Sequence, residues 1–155
     1  MKEVLKQTKE KTPDDVVSLC EGIARGYNRR KKDYENRRLD IVYAGSVSTA
    51  FCDLVGGAKG NATSDPVARK AERLEKLENS LDARFIHAVE QSLAHVGADV
   101  TRELREKLRR AVMLNCENGR DFPYELLNID EFSRRDFYRR RRAFVEGIGA
   151  VLGLV

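Results

Sequence analysis

The sequence predicts an all-α protein in which antiparallel long helices carry a C-terminal helix-turn-helix. Three observations predict it. Apolar residues recur at steps of three and four along most of the chain, the period of a helix with one buried face. Charged residues make up 35% of the sequence and Trp is absent, a balance that suits helices with wide solvated faces better than a compact β-sandwich. Helix punctuation falls where the pattern starts and stops, at Thr12-Pro13, Asp65-Pro66, Gly97 and Ser133. A chain of 155 residues is long enough for one domain with a real core, or a small domain with a helical extension. The pattern divides it into an N-terminal helical region and Gly-rich linker over 1–60, and a helical hairpin plus helix-turn-helix over 61–155.

The first helix is expected to start at Thr12-Pro13-Asp14-Asp15. Thr12 can cap, Pro13 fits the first helical position, and the two acids oppose the helix dipole. Val16, Leu19, Cys20, Ile23, Tyr27, Tyr34 and Ile41 carry the pattern to about Tyr43, with a kink allowed at Gly22 and Gly26, each worth ~1 kcal/mol against Ala. The basic residues Arg29 to Lys32, Arg37 and Arg38 alternate with Asp33, Glu35 and Asp40. They read as a solvated face with local ion pairs, against a second phosphate-contacting surface.

Residues 44–55 fit a short helix or a strand, with helix preferred, and Gly56 to Asn61 reads as a linker. Asp65-Pro66 opens the cleanest stripe of the chain, Val67, Ala71, Leu74, Leu77, Leu81, Phe85, Ala88, Val89, Leu93 and Val96. It predicts one helix of about 30 residues, whose seam wants a partner helix within the chain or from a second subunit. Gly97 ends that helix, Asp99 can cap the next, and Val100 to Cys116 continue it antiparallel. A short helix over Phe122–Ile129 and a turn at Asp130-Glu131-Phe132 then precede Ser133.

From Ser133 to Arg142 the chain holds six arginines and one acid. Ser133 caps and Asp136 favours the positive helix start. Phe137, Phe144, Ile148 and Leu152, flanked by Val145 and Val151, share one face, while Arg134, Arg135, Tyr138, Arg139 and Arg142 form a second stripe. A short helix, a tight turn and a capped second helix with polar residues at its start is the pattern that inserts a helix into the DNA major groove. There an arginine can pair bidentately with guanine, worth ~1–3 kcal/mol of discrimination, while others neutralise phosphates. Arg140 and Arg141 point elsewhere; Arg141 is expected to lay its stem on the core, with its head snorkelling to solvent or pairing with an acid.

The sequence excludes much else. There is no HExxH, GxSxG, Cys–His set or phosphate loop, so no enzyme, no catalytic residue, no cofactor and no metal site are expected, with a nuclease built from scattered acids the remaining enzymatic alternative. Cys20, Cys52 and Cys116 are scattered and odd in number, which suits buried or idle thiols in a reducing compartment, and His87 and His95 stand two turns apart with no further ligand, as surface or half-buried histidines do. No apolar run reaches the roughly 20 residues of a membrane span and no signal region opens the chain. A cytoplasmic protein without a membrane partner is expected.

The run Ser-Arg-Arg-Asp-Phe-Tyr-Arg-Arg-Arg-Arg-Ala-Phe over 133–144 resembles the last helix of phage late-transcription regulators of the ArpU/RinA kind, whose C-terminal part is similar to the DNA-binding region 4 of sigma factors. Upstream, Asn-Ala-Thr-Ser-Asp-Pro-Val-Ala-Arg-Lys-Ala-Glu over 61–72 is similar in place and flavour to the linker before their central helix. The resemblance covers 61–155 and is specific in 120–150. It implies sequence-specific binding of double-stranded DNA and activation of phage or prophage late genes, with RNA polymerase a candidate further partner. It also implies Arg134, Arg135, Tyr138 and Arg139 at the groove and Arg142 on phosphate. The helix before the turn is shorter here and lacks the family's Ala-containing support. Two competing readings are a phage packaging protein such as a small terminase subunit, which assembles as a ring, and a helical interaction module whose arginines meet acidic protein or the chain's own acids.

Overall fold

A computed structural model describes residues 11–44 and 65–155. The described residues are all-α, with six α-helices and one 3-10 turn. The helices are α1 (Asp14–Arg25), α2 (Tyr27–Tyr43), α3 (Pro66–Glu78), α4 (Leu81–His95), α5 (Arg102–Glu117) and α6 (Arg134–Leu152), and the 3-10 turn is Tyr124–Leu126. The expected helix or strand at 44–55, the linker after it and Cys52 lie outside the described residues apart from Ala44. No helix among the described residues is long and apolar enough to cross a membrane.

The boundary expected at 60/61 lies outside the described residues. Among the described residues, 11–25 and 88–155 form one compact unit and 26–44 and 65–87 another. Gly26 interrupts the helix expected to run to about Tyr43: α1 ends at Arg25 and α2 begins at Tyr27.

In the second unit α2 lies beside α3. Asp65 caps α3 by accepting from the Val67 N–H at 2.9 Å, with Pro66 in the first turn. Lys70 Nζ donates to the Val42 carbonyl at 2.8 Å across the pair. Ile41, Leu77 and Ile86 are buried. Arg30 and Arg37 both reach Asp82, each at 3.8 Å, and the Arg30 guanidinium stacks over Phe85.

The 67–96 stripe is two helices where one was expected. Asn79 Nδ2 donates to the Glu75 carbonyl at 2.9 Å, closing α3, and Ser80 Oγ accepts from the Ala83 N–H at 3.3 Å, opening α4. Short polar side chains that bond nearby backbone compete with helix propagation, and two in succession outweigh the apolar pattern. Val67 and Leu81 are exposed, and the stripe does not run as one uninterrupted helix.

The first unit holds the larger core. Phe137, Phe144, Leu108, Ile129, Ile148, Val89, Val112, Val145 and Cys20 are its largest fully buried side chains. Helix α1 packs on α6 and on α5. The α1–α6 approach at Gly149 is close, but a methyl group there would make only ordinary contacts, 3.4 Å from Cys20 Sγ and 3.6 Å from Val16. A methyl group on Gly147 would overlap Ser92 Oγ, a buried hydroxyl that donates to the Phe144 carbonyl at 2.7 Å. Gly97, at φ 72°, turns the chain out of α4 as expected. Arg105 then binds the Gly97 carbonyl, and Arg109, one turn on, binds those of Val96 and Ala94. Helix α5 therefore runs back past the end of α4. Thr101, not Asp99, occupies the cap position of α5.

The segment before α6 also departs from expectation. The helix expected over Phe122–Ile129 is a loop with a single 3-10 turn, so the first helix of a helix-turn-helix is absent from the described residues there. Pro123 is extended and Asn128 is left-handed at φ 52°, and neither suits a continuing helix. Asn115 Nδ2 donates to the Phe122 carbonyl at 2.8 Å, and the Tyr124 hydroxyl to the Phe132 carbonyl. Leu127, Ile129 and Phe132 are buried, while Leu126 is 59% exposed.

Candidate nucleic-acid interface

Helix α6 begins as its sequence dictates: Ser133 Oγ accepts from the Asp136 N–H at 3.1 Å. It ends on Gly153 in the left-handed conformation, with the Leu154 N–H bonded to the Gly149 carbonyl, a closure that satisfies the last carbonyls. Between these ends Phe137, Phe144, Val145, Ile148 and Gly149 are buried. That side fixes the helix in rotation and determines what the opposite side presents.

The six arginines separate by depth. Arg140 and Arg141 are built into the fold, with side chains 18% and 21% exposed. Arg140 grips both oxygens of Asp99 at 2.7 Å, binds Asp136 at 2.8 Å and lies over the Phe132 ring. The bond to Arg140, with that of its own backbone, pulls the Asp99 carboxyl down to about 2. Asp136 is also held below its usual range, first by Arg140. Arg141 reaches Glu21 of α1 at 2.8 Å, and its Nε is buried without a hydrogen-bond partner. Burial works against that charge, but the Cys116 sulfur and the bond to Glu21 hold the guanidinium above its ordinary value. The Cys116 thiol itself is pushed up to about 11, chiefly by burial. Arg140 and Arg141 point away from the stripe as their angular positions imply, and of the two outcomes expected for the Arg141 head it takes the acid pair.

The other four arginines and Tyr138 stay accessible. Arg134 is 66% exposed and meets Glu125 at 2.8 Å; Arg139 is 74% exposed and meets Asp136; Arg142 is 49% exposed and meets Glu146 at 2.9 Å. Arg135 is exposed and has no acidic partner among the described residues. The Tyr138 ring packs edge-on against buried Phe137 and lies under the Arg134 guanidinium, with the residue 37% exposed. Arg134, Arg135, Tyr138, Arg139 and Arg142 thus form one stripe about 12 Å long on the helix.

Five of the six arginines therefore carry a carboxylate of the same chain. The described residues of this unit hold as many acids as bases, so the stripe is not a field of free positive charge. Two of the acids were legible beforehand, because Asp136 and Glu146 stand one helical turn from Arg139, Arg140 and Arg142. Asp99, Glu125 and Glu21 were not, since they arrive from distant segments. Exposed pairs of this kind are worth ~0–1 kcal/mol and are screened by salt. Arg139 is the cheapest to release, because Asp136 remains compensated by Arg140 when it leaves.

Among the described residues no group of His, Cys, Asp and Glu could hold a metal ion. Comparison with protein-family models, curated proteins and solved structures finds no match, so the functional reading rests on this geometry and on the residues of the arginine helix.

Proposed function

We propose that the chain is a sequence-specific DNA-binding regulator that lays the outer face of α6 in the major groove of a duplex. Arg135 and Arg139 read base edges, Arg134 and Tyr138 flank them, and Arg142 contacts phosphate. The resemblance of 133–144 to phage late-transcription regulators makes phage or prophage late genes the target, RNA polymerase the machinery served and the cytoplasm the setting. The observation that carries this reading is the partition of the arginine run: the two guanidiniums turned away from the stripe are consumed by the fold, and the stripe remains at the surface. A helix locked by two buried phenylalanines also meets the demand that a reading helix be rigid.

One observation favours a second reading, a helical interaction module that binds no nucleic acid: the self-pairing of all but one arginine. Selection of bound duplexes from a random pool separates the two. The regulator reading predicts enrichment of a common sequence by the full chain and its loss in Arg135→Ala. Recovery of the starting pool unchanged would leave the interaction module, and a ring-sized mass in solution would favour the packaging protein.

A further inference from the structure

A groove of about 810 Å3 runs along α5 beside the loop that precedes α6, and no residue of α6 lines it. Its apolar part is Ala111, Leu114, Leu126 and Leu127. The groove extends along α5 from Arg102 to Leu114, about 18 Å at helical rise, the length of three turns of a partner helix.

The loop wall is held in place. The side chains of Asn115 and Tyr124 bond loop carbonyls, and Lys107 bridges α5 to Glu131 at 2.7 Å. Leu127, Ile129 and Phe132 are buried beneath it. Yet Leu126, within this fixed loop, is turned out to 59% exposure. An apolar side chain held outward by so many restraints is pre-organised for a contact, since little ordering entropy remains to be lost on binding.

The rim gives the sign of the partner. Lys107 is matched by Glu131, and Glu106 by Arg109 at 3.5 Å. Among the described residues Arg102, Arg110 and Glu103 have no partner, which leaves an excess of positive charge. The two arginines are eight residues apart on one face of α5, about 12 Å along its axis.

We propose that this groove is a protein-docking site that takes an amphipathic helix, leucine-like on one side and carrying carboxylates about two turns apart. Leu126 inserts into the apolar side of that helix and Arg102 and Arg110 meet its acids. Apolar anchors at helical spacing set in a groove are a common mode of peptide recognition, and the leucine floor distinguishes this site from a phosphate surface. The site stands whether or not α6 reads DNA.

The test is fluorescence anisotropy of the full chain with a labelled amphipathic peptide, leucines on one face flanked by glutamates, beside its lysine counterpart. Saturable binding of the glutamate peptide is expected, weakened at least about tenfold by Leu126→Asp and by Arg102→Glu/Arg110→Glu. The lysine peptide should bind far more weakly, and Arg135→Ala should leave peptide binding unchanged. All these substitutions are at exposed positions, and an unchanged melting curve verifies the fold. Absence of saturable binding, equal binding of the two peptides, or indifference to Leu126→Asp would overturn the proposal. So would displacement of the peptide by a random-sequence duplex in the Arg135→Ala chain, which would make the groove a phosphate surface.

Discussion

The inner and outer arginines of α6 share one helix and one residue type, yet the fold treats them differently. Arg140 and Arg141 join α6 to the α4–α5 connection and to α1 through Asp99 and Glu21. Arg134, Arg135, Arg139 and Arg142 join it to nothing beyond a facing acid on the loop before it or one turn away, and Arg135 not even to that. A guanidinium near the core must be answered by a carboxylate, because an unanswered charge there is costly. One in solvent gains little from a partner and stays available. Arginine density alone is therefore a poor gauge of a binding surface; depth decides which members of the run can leave their partners.

The largest expected effect tests the anchoring that creates this depth. Phe144→Ala, at a site 2% exposed, should cost ~3–5 kcal/mol in a chemical denaturation experiment. An unchanged midpoint would mean that α6 is not held in this rotation, and the inner and outer sets would lose their meaning. Next, Arg141→Met should destabilise by ~1–3 kcal/mol, because it leaves Glu21 without its cation. The figure lies below that for a fully buried pair because the two side chains are 21% and 34% exposed. Arg135→Ala should change stability by less than ~0.5 kcal/mol. Equal effects of the two would erase the distinction.

A smaller effect separates two glycines. Gly22 has open space around it, so Gly22→Ala should stabilise by ~0.5–1 kcal/mol through helix propensity. Gly147→Ala should lose ~1 kcal/mol net, since the hydroxyl of Ser92 must leave the Phe144 carbonyl. Ser92→Ala in the same chain should recover much of that loss. The smallest effect is on acid stability. The Asp99 carboxyl lies at about 2 in the fold, below its ordinary 3.8. Its contribution is thus complete above that ordinary value and is lost as pH falls from about 4 to about 2. The Asp99 carboxyl resonance should titrate around the lower end of that range, at about 2, and Arg140→Gln should return it towards its ordinary value.

Much of the fold was legible. Asp65, Gly97 and Ser133 begin or end helices as their chemistry dictates, and the inward set Phe137, Phe144 and Ile148 is buried. The apolar period hid the break at Asn79-Ser80, where competition from side chains for the backbone outweighs a stripe that continues on both sides. The helix over Phe122–Ile129 was read from three apolar residues. In its place stands a loop in which Asn115 takes up the Phe122 carbonyl, one such a helix would have used, and Tyr124 ties the loop to the Phe132 carbonyl beyond it. At the candidate site, exposure followed from angular position, but the acids that answer Arg134, Arg140 and Arg141 come from other parts of the chain. No local spacing could reveal them.

The most direct measurement is the affinity of the intact chain and of Arg135→Ala for its selected duplex and for a random duplex, across a salt series. The account predicts that Arg135→Ala weakens the selected duplex by ~1–3 kcal/mol and the random one far less, with the selected site losing its advantage. Equal weakening on both would reduce Arg135 to a phosphate contact. Failure of the intact chain to prefer any duplex at any salt would contradict the reading of α6 as a DNA-recognition helix.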